Sequence, residues 1–488
     1  MGALAKLYRW PLTLLNDLYQ FTMAYGYWTS GTAEHEAVFH LSFRSNPFGG
    51  GFSLACGLAY AIEWLNEFHF AEDDLAYLAD LRAADGSRLF DAEFIEHLRG
   101  LSLACDVDAL PEGTVVFANE PLVRVRGPLL QCQLLETPLL NLINFQSLIA
   151  TKAARVCLAA QGEPVLEFGL RRAQGIDGGV AASRAAYVGG CAGTSNVLAG
   201  RLFGIPVKGT HAHSWIMSFD SELKSFRAYA EALPENCTFL VDTYDTLEGV
   251  RRAIEIGRWL RSRGHEMAGI RLDSGDLARL SSEARRILDE AGFERAAIVG
   301  SNELDEHAIA ELKMQGAKVN VWGVGTRLAT GWDQPAMSGV YKLSAIRAPG
   351  AEWKYKIKLS EQAEKGSTPG IQQVRRFRSG ERFVADAIYD EELGIVDECV
   401  IVGEDRKQTR LSAGTPHENL LLPIFRGGQQ VYDPPALDAI RAHAQRQLAA
   451  LDPAVRRLED PRPYPVGLEQ RLHELKRRLI GEARGALT

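Results

Sequence analysis

One pattern recurs between Pro164 and Thr326: a short apolar run ends in polar residues or glycine, and a helix-like stretch precedes the next run. The runs are VLEFG, AAYVGG, GIPVKG, TFLVDT, MAGIRLDSGD, AAIVGSN and KVNVWGVGT, with segments such as LEGVRRAIEIGRWLRSRG between them. This alternation is typical of β-α units in a parallel sheet. Seven such units predict an α/β fold built on an irregular (β/α) barrel, in which reactive groups collect at the carboxyl ends of the strands.

Polar side chains are concentrated at the ends of these runs. They comprise Glu167 with Arg171 and Arg172, Thr194 to Asn196, residues 209–214, Asp242, Arg271 with residues 273–276, Ser301 with Asn302, and residues 323–326. A barrel with a purely structural role does not need so many of these side chains on one rim. We therefore expect a binding or catalytic site there.

The regions outside the repeats have other patterns. Residues 37–43 partly alternate like a half-buried strand, and residues 114–125 predict a hairpin around a turn at Asn119. Residues 129–160 are apolar at helical spacing and predict a buried helix that joins two domains. Strand-like stretches after Thr326, such as RRFRSGERFVADAIYD, indicate that the chain returns to the first domain.

These patterns predict three regions. An α+β domain is expected over residues 1–128, and the barrel domain over residues 129–345. Residues 346–488 are expected to return in part to the first domain and to end in charged helices. The length of 488 residues also favours more than one domain.

Charge and cysteine content restrict the partners. The chain has 54 basic and 62 acidic side chains, a net charge of -8, which argues against a nucleic-acid polymer as partner. A small phosphate ester is still compatible, because local arginines and backbone amides bind phosphate whatever the overall charge. The seven cysteines are scattered and never form a C-x-x-C pair, as in reduced cytosolic proteins. Without a leader or a long apolar run, we expect a soluble cytoplasmic protein with no membrane partner.

Several motifs, on the rim and earlier in the chain, are similar to those of one enzyme family. The matching stretches, in order, are NDLYQ at 16–20, FRSNPFGGG at 43–51, QSLIATKAAR at 146–155, EFGLRRAQG at 167–175, TSNVLAG at 194–200, GTHAHS at 209–214, RLDSGDL at 271–277 and GVGT at 323–326. Together they resemble nicotinate phosphoribosyltransferase, a type II phosphoribosyltransferase. The resemblance extends from Asn16 to about Gly370.

The resemblance implies a fold, a reaction and an assembly. The family fold is an irregular α/β barrel joined to an α+β sandwich. The family transfers the 5-phosphoribosyl group from phosphoribosyl pyrophosphate to nicotinate for NAD salvage, and couples this to ATP hydrolysis. The family works as a homodimer whose active site takes residues from both subunits. Nicotinamide and quinolinate phosphoribosyltransferases share the architecture, and a catalytically silent homologue that binds ligands is the alternative from another functional class.

His213 matches the family histidine that ATP phosphorylates transiently. A neutral imidazole nitrogen is nucleophilic near pH 7, which suits this role. An isolated loop histidine bonded to a carboxylate is the ordinary alternative, and the motif favours the catalytic role. His211 is expected to be a surface or supporting residue. The two histidines form an H-x-H pattern, but His265 and His307 are not placed to complete a metal site of the kind that barrel hydrolases use.

The nicotinate site is expected from four residues. Arg271 ends an apolar run and needs an anionic partner, which the nicotinate carboxylate would supply; an ion pair with Asp242 or Glu167 is the structural alternative. Arg171 is the second candidate for the carboxylate. Thr210 and Tyr19 match family positions that contact the pyridine ring, the tyrosine by stacking and from the partner subunit.

The remaining rim residues are expected to bind the phosphoribosyl group. Asp273, Ser274 and Gly275 form a turn suited to ribose hydroxyls and, through Asp273, indirectly to Mg²⁺, while Asp276 would cap the next helix. The phosphate-binding candidates are Ser301, Asn302, Gly323, Gly325 and Thr326. An ordinary β-α turn has the same geometry as the last of these loops.

Overall fold

The structure is a computed structural model, and it describes residues 11–359, 366–395, 398–405 and 407–485. The chain divides into two compact units, one formed by Met1–Ser147 with Ala336–Thr488 and the other by Leu148–Pro335. The second unit lies inside the range expected for the barrel domain, 129–345.

The strands and helices alternate in the second unit and are mixed in the first. The strands are β1 Glu36–Phe43, β2 Ser53–Leu54, β3 Asp106–Ala109, β4 Val115–Val116, β5 Val123–Pro128, β6 Val165–Glu167, β7 Gly193–Thr194, β8 Thr238–Leu240, β9 Gly269–Leu272, β10 Ala297–Ser301, β11 Val321–Val324, β12 Gly339–Arg347, β13 Lys354–Tyr355, β14 Gln372–Ser379, β15 Arg382–Asp390, β16 Cys399–Val402, β17 Gln408–Leu411, β18 His417–Asn419, β19 Leu422–Arg426, β20 Gln429–Gln430 and β21 Val466–Glu469. The helices are α1 Leu18–Thr29, α2 Leu58–Asn66, α3 Glu72–Asp80, α4 Ala92–Arg99, α5 Leu129–Leu134, α6 Glu136–Ala160, α7 Gly175–Val188, α8 Val197–Phe203, α9 His213–Met217, α10 Glu222–Ala232, α11 Thr246–Arg261, α12 Leu277–Glu290, α13 Glu306–Met314, α14 Thr326–Ala329, α15 Leu437–Ala450 and α16 Gln470–Gly485. Short 3₁₀ turns lie at Pro47–Gly49, Leu170–Arg172 and Pro234–Asn236.

The second unit is a parallel sheet with helices between its strands. The strand order is β7-β6-β11-β10-β9-β8, and an isolated parallel bridge from Thr194 to Val207 extends it by one more segment. The centres of the strands are buried, as Phe239, Ile270 and Trp322 show. This arrangement confirms the predicted α/β fold with an irregular β-α barrel.

Two of the predicted strands are wrong. AAYVGG is the end of helix α7, whose residues from Gly179 to Val188 are all buried, so the run lacks the polar face that marks a helix in a sequence. The strand that follows is Gly193–Thr194 instead. GIPVKG contributes only the single bridge at Val207.

Side chains cap the helices that follow several of the strands. Asn196, Asp245, Asp276 and Asp305 each accept a hydrogen bond from a backbone N–H in the first turn of α8, α11, α12 and α13. The predicted cap at Asp276 is confirmed, with Arg279 N at 3.0 Å from its Oδ1. These caps fix where each helix starts, and hence the length of each loop on the rim.

The first unit contains two larger sheets that form a sandwich. Their strand orders are β13-β12-β1-β5-β3-β19-β20 and β17-β16-β21-β15-β14-β18. Buried polar groups join them: His40 Nε2 accepts from Gln372 N at 3.1 Å, and Arg124 donates to the Gln372 carbonyl at 3.1 Å. The predicted buried helix over 129–160 corresponds to α5 and α6, and the predicted helices near the end of the described residues are α15 and α16.

The predicted hairpin over 114–125 is wrong. β4 pairs with β2, whereas β5 pairs with β1 and β3. The turn has the expected residue type, since Asn119 has φ 67°, but Leu122 N then donates to the Leu41 carbonyl and joins the chain to β1. The local pattern therefore identified both strands and the turn but not their partners. Within the described residues, no helix combines the length and the apolar character needed to cross a bilayer.

Candidate active site

Arg271 lies at the centre of the rim of the second unit. It is near the end of β9, and its guanidinium donates to Ser301 Oγ at 2.8 Å, Thr210 Oγ1 at 3.3 Å and Asp273 Oδ1 at 2.8 Å. It also lies over the ring of Phe168, 5.6 Å from the centroid. Residues from the ends of four different strand segments thus meet around one planar cation.

The ion pair of Arg271 differs from the one considered in the sequence. Its partner is Asp273, not Asp242 or Glu167. The Glu167 carboxylate is buried and accepts from Thr194 Oγ1 at 2.6 Å, Ser183 Oγ at 2.9 Å and Gly169 N. Glu167 therefore secures the β6 end of the rim and is not available to a ligand.

The turn after β9 is held by Asp242 from the neighbouring strand. Asp242 Oδ2 accepts from Asp273 N at 2.9 Å and from Ser274 Oγ at 2.6 Å. Gly275 adopts φ +77°, a conformation that a side chain would strain. These contacts leave the Asp273 carboxylate directed at Arg271 and Ser301, whose Oγ donates to Asp273 Oδ1 at 2.5 Å.

His213 is close to this group. It is the first residue of α9, and its Nδ1 lies 3.1 Å from Thr243 Oγ1. Its Nε2 lies 3.7 Å from Asp273 Oδ2, and 41% of its side chain is exposed. A neutral ring that donates from Nδ1 to Thr243 has its lone pair on Nε2, which makes that nitrogen available as a nucleophile.

His211 is not a surface residue. Its side chain packs among the rings of Phe226, Tyr229 and Phe239, and its Nε2 accepts a hydrogen bond from Leu240 N at 3.3 Å. Burial lowers the pKa of His211 to about 4, and the nearby positive charge of Arg271 acts in the same direction. The ring is therefore neutral at physiological pH.

The two loops expected to bind phosphate are joined by an ion pair. Ser301 ends β10 and is buried, whereas Asn302 is exposed with φ 105°. Gly325 and Thr326 begin α14, so their N–H groups lie ahead of any helical acceptor. Arg327 pairs with Asp305, the cap of α13, and so connects the loop after β11 to the loop after β10.

Gly323 lies against the aromatic ring near Arg271. A Cβ atom there would meet the Phe168 ring at 2.8 Å and Ser301 at 3.3 Å. Close packing of the loop therefore requires glycine at position 323. The phosphate-binding role of its backbone stays a prediction.

The contacts of Arg271 and His213 given above include neither Arg171 nor Tyr19. Arg171 is exposed on the turn Leu170–Arg172. Tyr19 belongs to α1 in the first unit and is 46% exposed; burial of its hydroxyl, with the charge of Glu136, raises its pKa to about 12. The roles of both residues stay predictions.

Sequence reasoning missed the supporting residues Thr243 and Phe168. Both directly follow a rim residue that was noted, Asp242 and Glu167, so proximity in the chain was an available signal. It also missed the buried cluster of Lys152, Arg155 and Glu306, because a charged residue on an apolar helix does not reveal its partner.

From the sequence, His265 and His307 were not expected to complete a metal site with His211 and His213. Among the described residues, no cluster of three or more His, Cys, Asp or Glu side chains has a metal-binding arrangement. His265 instead bonds to Glu235 at 2.6 Å, and His307 lies on α13.

Three family models match the chain. The nicotinate phosphoribosyltransferase (NAPRTase) N-terminal domain matches residues 14–144, the NAPRTase family model matches 164–380 and the NAPRTase C-terminal domain matches 372–476. Nicotinate phosphoribosyltransferase of Bacillus subtilis is 43% identical and covers 96% of this chain and 97% of its own. The Homo sapiens protein of the same name is 38% identical and covers 95% of each chain.

Solved structures agree in fold. The crystal structure of human nicotinic acid phosphoribosyltransferase superposes with a TM-score of 0.83 at 35% identity, over 95% of this chain and 99% of that chain. Nicotinate-nucleotide pyrophosphorylase from Pyrococcus furiosus superposes with a TM-score of 0.69 at 21% identity and shares the fold.

Proposed function

Because this chain belongs to the nicotinate phosphoribosyltransferase family, it acts as a nicotinate phosphoribosyltransferase, and we propose that the residues gathered around Arg271 carry out the reaction. The enzyme transfers the 5-phosphoribosyl group of phosphoribosyl pyrophosphate to the ring nitrogen of nicotinate and releases pyrophosphate, a step of NAD salvage. The observation that carries the site assignment is the contact of Arg271 with Thr210, Asp273 and Ser301.

We propose that Arg271 and Thr210 bind the nicotinate carboxylate. The guanidinium is planar, the Arg271 side chain is 18% exposed, and Asp273 fixes its orientation, which suits the binding of an anion. Arg171 is the less favoured candidate because it is exposed and lies on a separate turn. Nicotinate's ring nitrogen is itself nucleophilic, so the reaction needs orientation and charge stabilisation more than a general base.

We propose that the loops around Asp273 hold the phosphoribosyl donor. Asp273, Ser274 and Gly275 would contact the ribose, and the loops at Ser301 and Asn302 and at Gly323, Gly325 and Thr326 would bind phosphate oxygens. Backbone N–H groups and hydroxyls suit phosphate, and the Arg327–Asp305 pair fixes the spacing of the two loops.

Mg²⁺ fits this site if the substrate supplies most of its ligands. The rim offers the carboxylate oxygen Oδ2 of Asp273, a hard ligand of the kind that Mg²⁺ prefers, but no complete cage among the described residues. We propose that Asp273 holds Mg²⁺ indirectly, and that the ion, when bound, neutralises charge on the phosphates.

We propose that ATP phosphorylates His213 on Nε2. The Nε2–phosphorus bond forms as the bond between the β and γ phosphates breaks, and ADP leaves; hydrolysis of the phosphohistidine later returns phosphate. The new dianion would lie beside the Asp273 carboxylate, and the repulsion between them gives the modification a physical route to the donor site.

The assay compares nicotinate, nicotinamide and quinolinate, each with phosphoribosyl pyrophosphate, with and without ATP. We expect mononucleotide formation with nicotinate, ATP stimulation that is lost in His213→Ala, and stimulation that is kept in His265→Ala, a histidine bonded to Glu235 away from these contacts. ATP stimulation that persists in His213→Ala contradicts the phosphohistidine.

We also propose a homodimer in which a second copy of the chain supplies Tyr19 to the pyridine ring. Light scattering gives the mass, and mixing the inactive variants Tyr19→Ala and Arg271→Ala should restore activity if each site draws on both copies. Failure to complement, with a dimeric mass, contradicts the shared site. A cytoplasmic location is likewise our proposal, in keeping with cysteines that are all free thiols in the structure.

A further inference from the structure

The ladder of paired strands in the second unit has an edge at β8 (Thr238–Leu240). The other end of the ladder is the bridge at Val207, four residues before His211. We call the gap between these two ends the seam. A side chain makes a hydrogen bond across the seam, because Leu240 N donates to His211 Nε2 at 3.3 Å. An imidazole thus takes the place that a backbone carbonyl of a paired strand occupies elsewhere in a sheet.

Thr210, directly before His211, and His213, two residues after it, both belong to the candidate site. Thr210 Oγ1 accepts from Arg271, and His213 Nδ1 lies 3.1 Å from Thr243 Oγ1. Thr243 lies three residues after Leu240, the last residue of β8, in the loop that leads to α11. The segment that bears Thr210 and His213 is therefore attached twice, to β8 at Leu240 through His211 and to the loop just after β8 at Thr243 through His213.

The surroundings of His211 favour a fixed ring. Its centroid lies 4.9 Å from that of Tyr229, 6.1 Å from Phe226 and 6.4 Å from Phe239, and only 8% of the residue is exposed. To accept at Nε2, the ring must be neutral with its proton on Nδ1. Burial in this aromatic cluster, next to the cationic Arg271, keeps it neutral, as the lowered pKa of about 4 indicates.

We infer that His211 is a positioning residue that closes the seam between Val207 and β8 and thereby holds Thr210 and His213 at the distances that the reaction requires. It touches neither substrate nor Arg271 in this role. The kinetic part of the inference rests on the proposed function of Thr210 and His213, whereas the structural part does not.

Two substitutions test the hydrogen-bond acceptor of His211 separately from the packing of its ring. His211→Phe fills the aromatic cluster but removes the acceptor, and His211→Gln places an amide oxygen near the position of Nε2. Amide hydrogen exchange of Leu240 and of residues 209–214 is measured for both variants and the wild-type protein. We expect exchange at Leu240 to be about tenfold faster in the Phe variant, the factor that one buried hydrogen bond is typically worth, and close to wild type in the Gln variant.

Steady-state kinetics and phosphorylation of His213 are measured on the same proteins with nicotinate, phosphoribosyl pyrophosphate and ATP. We expect kcat to fall about tenfold in the Phe variant, with slower formation of acid-labile phosphohistidine, and to be largely restored in the Gln variant at a similar melting temperature. A purely structural role predicts instead that both variants lose activity in proportion to their stability. Should the Phe variant fail to fold, His211→Leu takes its place.

The outcomes distinguish the inference from the function on which it draws. If the wild-type protein makes no nicotinate mononucleotide, the proposed function fails, and the exchange comparison still decides the role of His211. Equal exchange at Leu240 and residues 209–214 in the Phe and wild-type proteins overturns the inference. So does a Gln variant as impaired in kcat as the Phe variant, because the acceptor would then not be what matters.

Discussion

Glu306, Lys152 and Arg155 form a buried cluster of charges in the second unit. Glu306 is the first residue of α13, and its side chain is fully buried. Its carboxylate contacts Lys152 Nζ at 2.7 Å and Arg155 Nε at 2.8 Å, two cations of α6 that are themselves at most 1% exposed. Glu306→Gln keeps the shape of the side chain and removes its charge.

The expected cost follows from these contacts. Each charge-assisted hydrogen bond contributes about 1.5–3 kcal/mol, and breaking a buried ion pair by removing one partner costs about 3–5 kcal/mol. Lys152 keeps its contact with Asp333 at 2.6 Å, but that carboxylate is 44% exposed and compensates the buried cation only in part. We therefore expect Glu306→Gln to lower the free energy of unfolding by about 3–4 kcal/mol.

Urea denaturation followed by circular dichroism measures this change. Glu311→Gln on the exposed face of the same helix is the matched control, with an expected change below about 0.5 kcal/mol. Adding Lys152→Met to Glu306→Gln should recover part of the loss, because the uncompensated charge is then gone. A loss for Glu306→Gln no larger than that of the control refutes the reasoning.

Three further predictions concern the rim. Arg271→Lys removes the planar fork shared by Thr210 and Asp273, so the KM for nicotinate should rise about 10- to 100-fold, more than in Arg171→Lys, as steady-state kinetics will show. Asp305→Asn weakens the link to Arg327 between the two loops, so the KM for phosphoribosyl pyrophosphate should rise about 3- to 10-fold while that for nicotinate changes less. Because the pKa of His211 falls from 6.5 in the unfolded chain to about 4 when folded, the unfolded state binds more protons between these values, and stability should drop by about 3 kcal/mol as the pH falls from 6.5 to 4. His211→Gln should lose less stability over that range, since its side chain does not titrate; an identical slope in pH-dependent denaturation contradicts the assignment.

Much of the barrel could be predicted because apolar runs and polar tips are local properties. VLEFG, TFLVDT, MAGIRL, AAIVGSN and KVNVWGVGT form strands, and Asp276 caps its helix as expected. AAYVGG could not be assigned correctly, since α7 is buried on all sides from Gly179 to Val188 and has no polar stripe there. The pairing of β4 with β2 could not be predicted either, because the residues of one strand do not show which distant strand it pairs with.

The sequence predicted which residues share the rim, but not which hydrogen bonds and ion pairs join them. Strand ends in a parallel sheet must lie at one edge, which is why Arg271, Asp273 and Ser301 were expected together. Which carboxylate pairs with Arg271 depends on side-chain directions at distances of a few ångströms, and no spacing rule encodes them. For His211 the sequence left a surface and a supporting position open, and it could not show the aromatic neighbours, because they come from α10 and β8.

Asp273 shows why these side chains have to be considered as one system. Its Oδ1 accepts from both Arg271 and Ser301, its Oδ2 lies 3.7 Å from His213, and its backbone N–H is held by Asp242. If ATP phosphorylates His213 and Arg271 binds nicotinate, as we propose, both events act on the same Asp273 carboxylate. Because coupling between two sites is reciprocal, an effect of the histidine on the affinity for nicotinate requires an equal effect of nicotinate on the histidine. The Asp273 carboxylate, which lies next to both Arg271 and His213, is a direct physical route for this coupling.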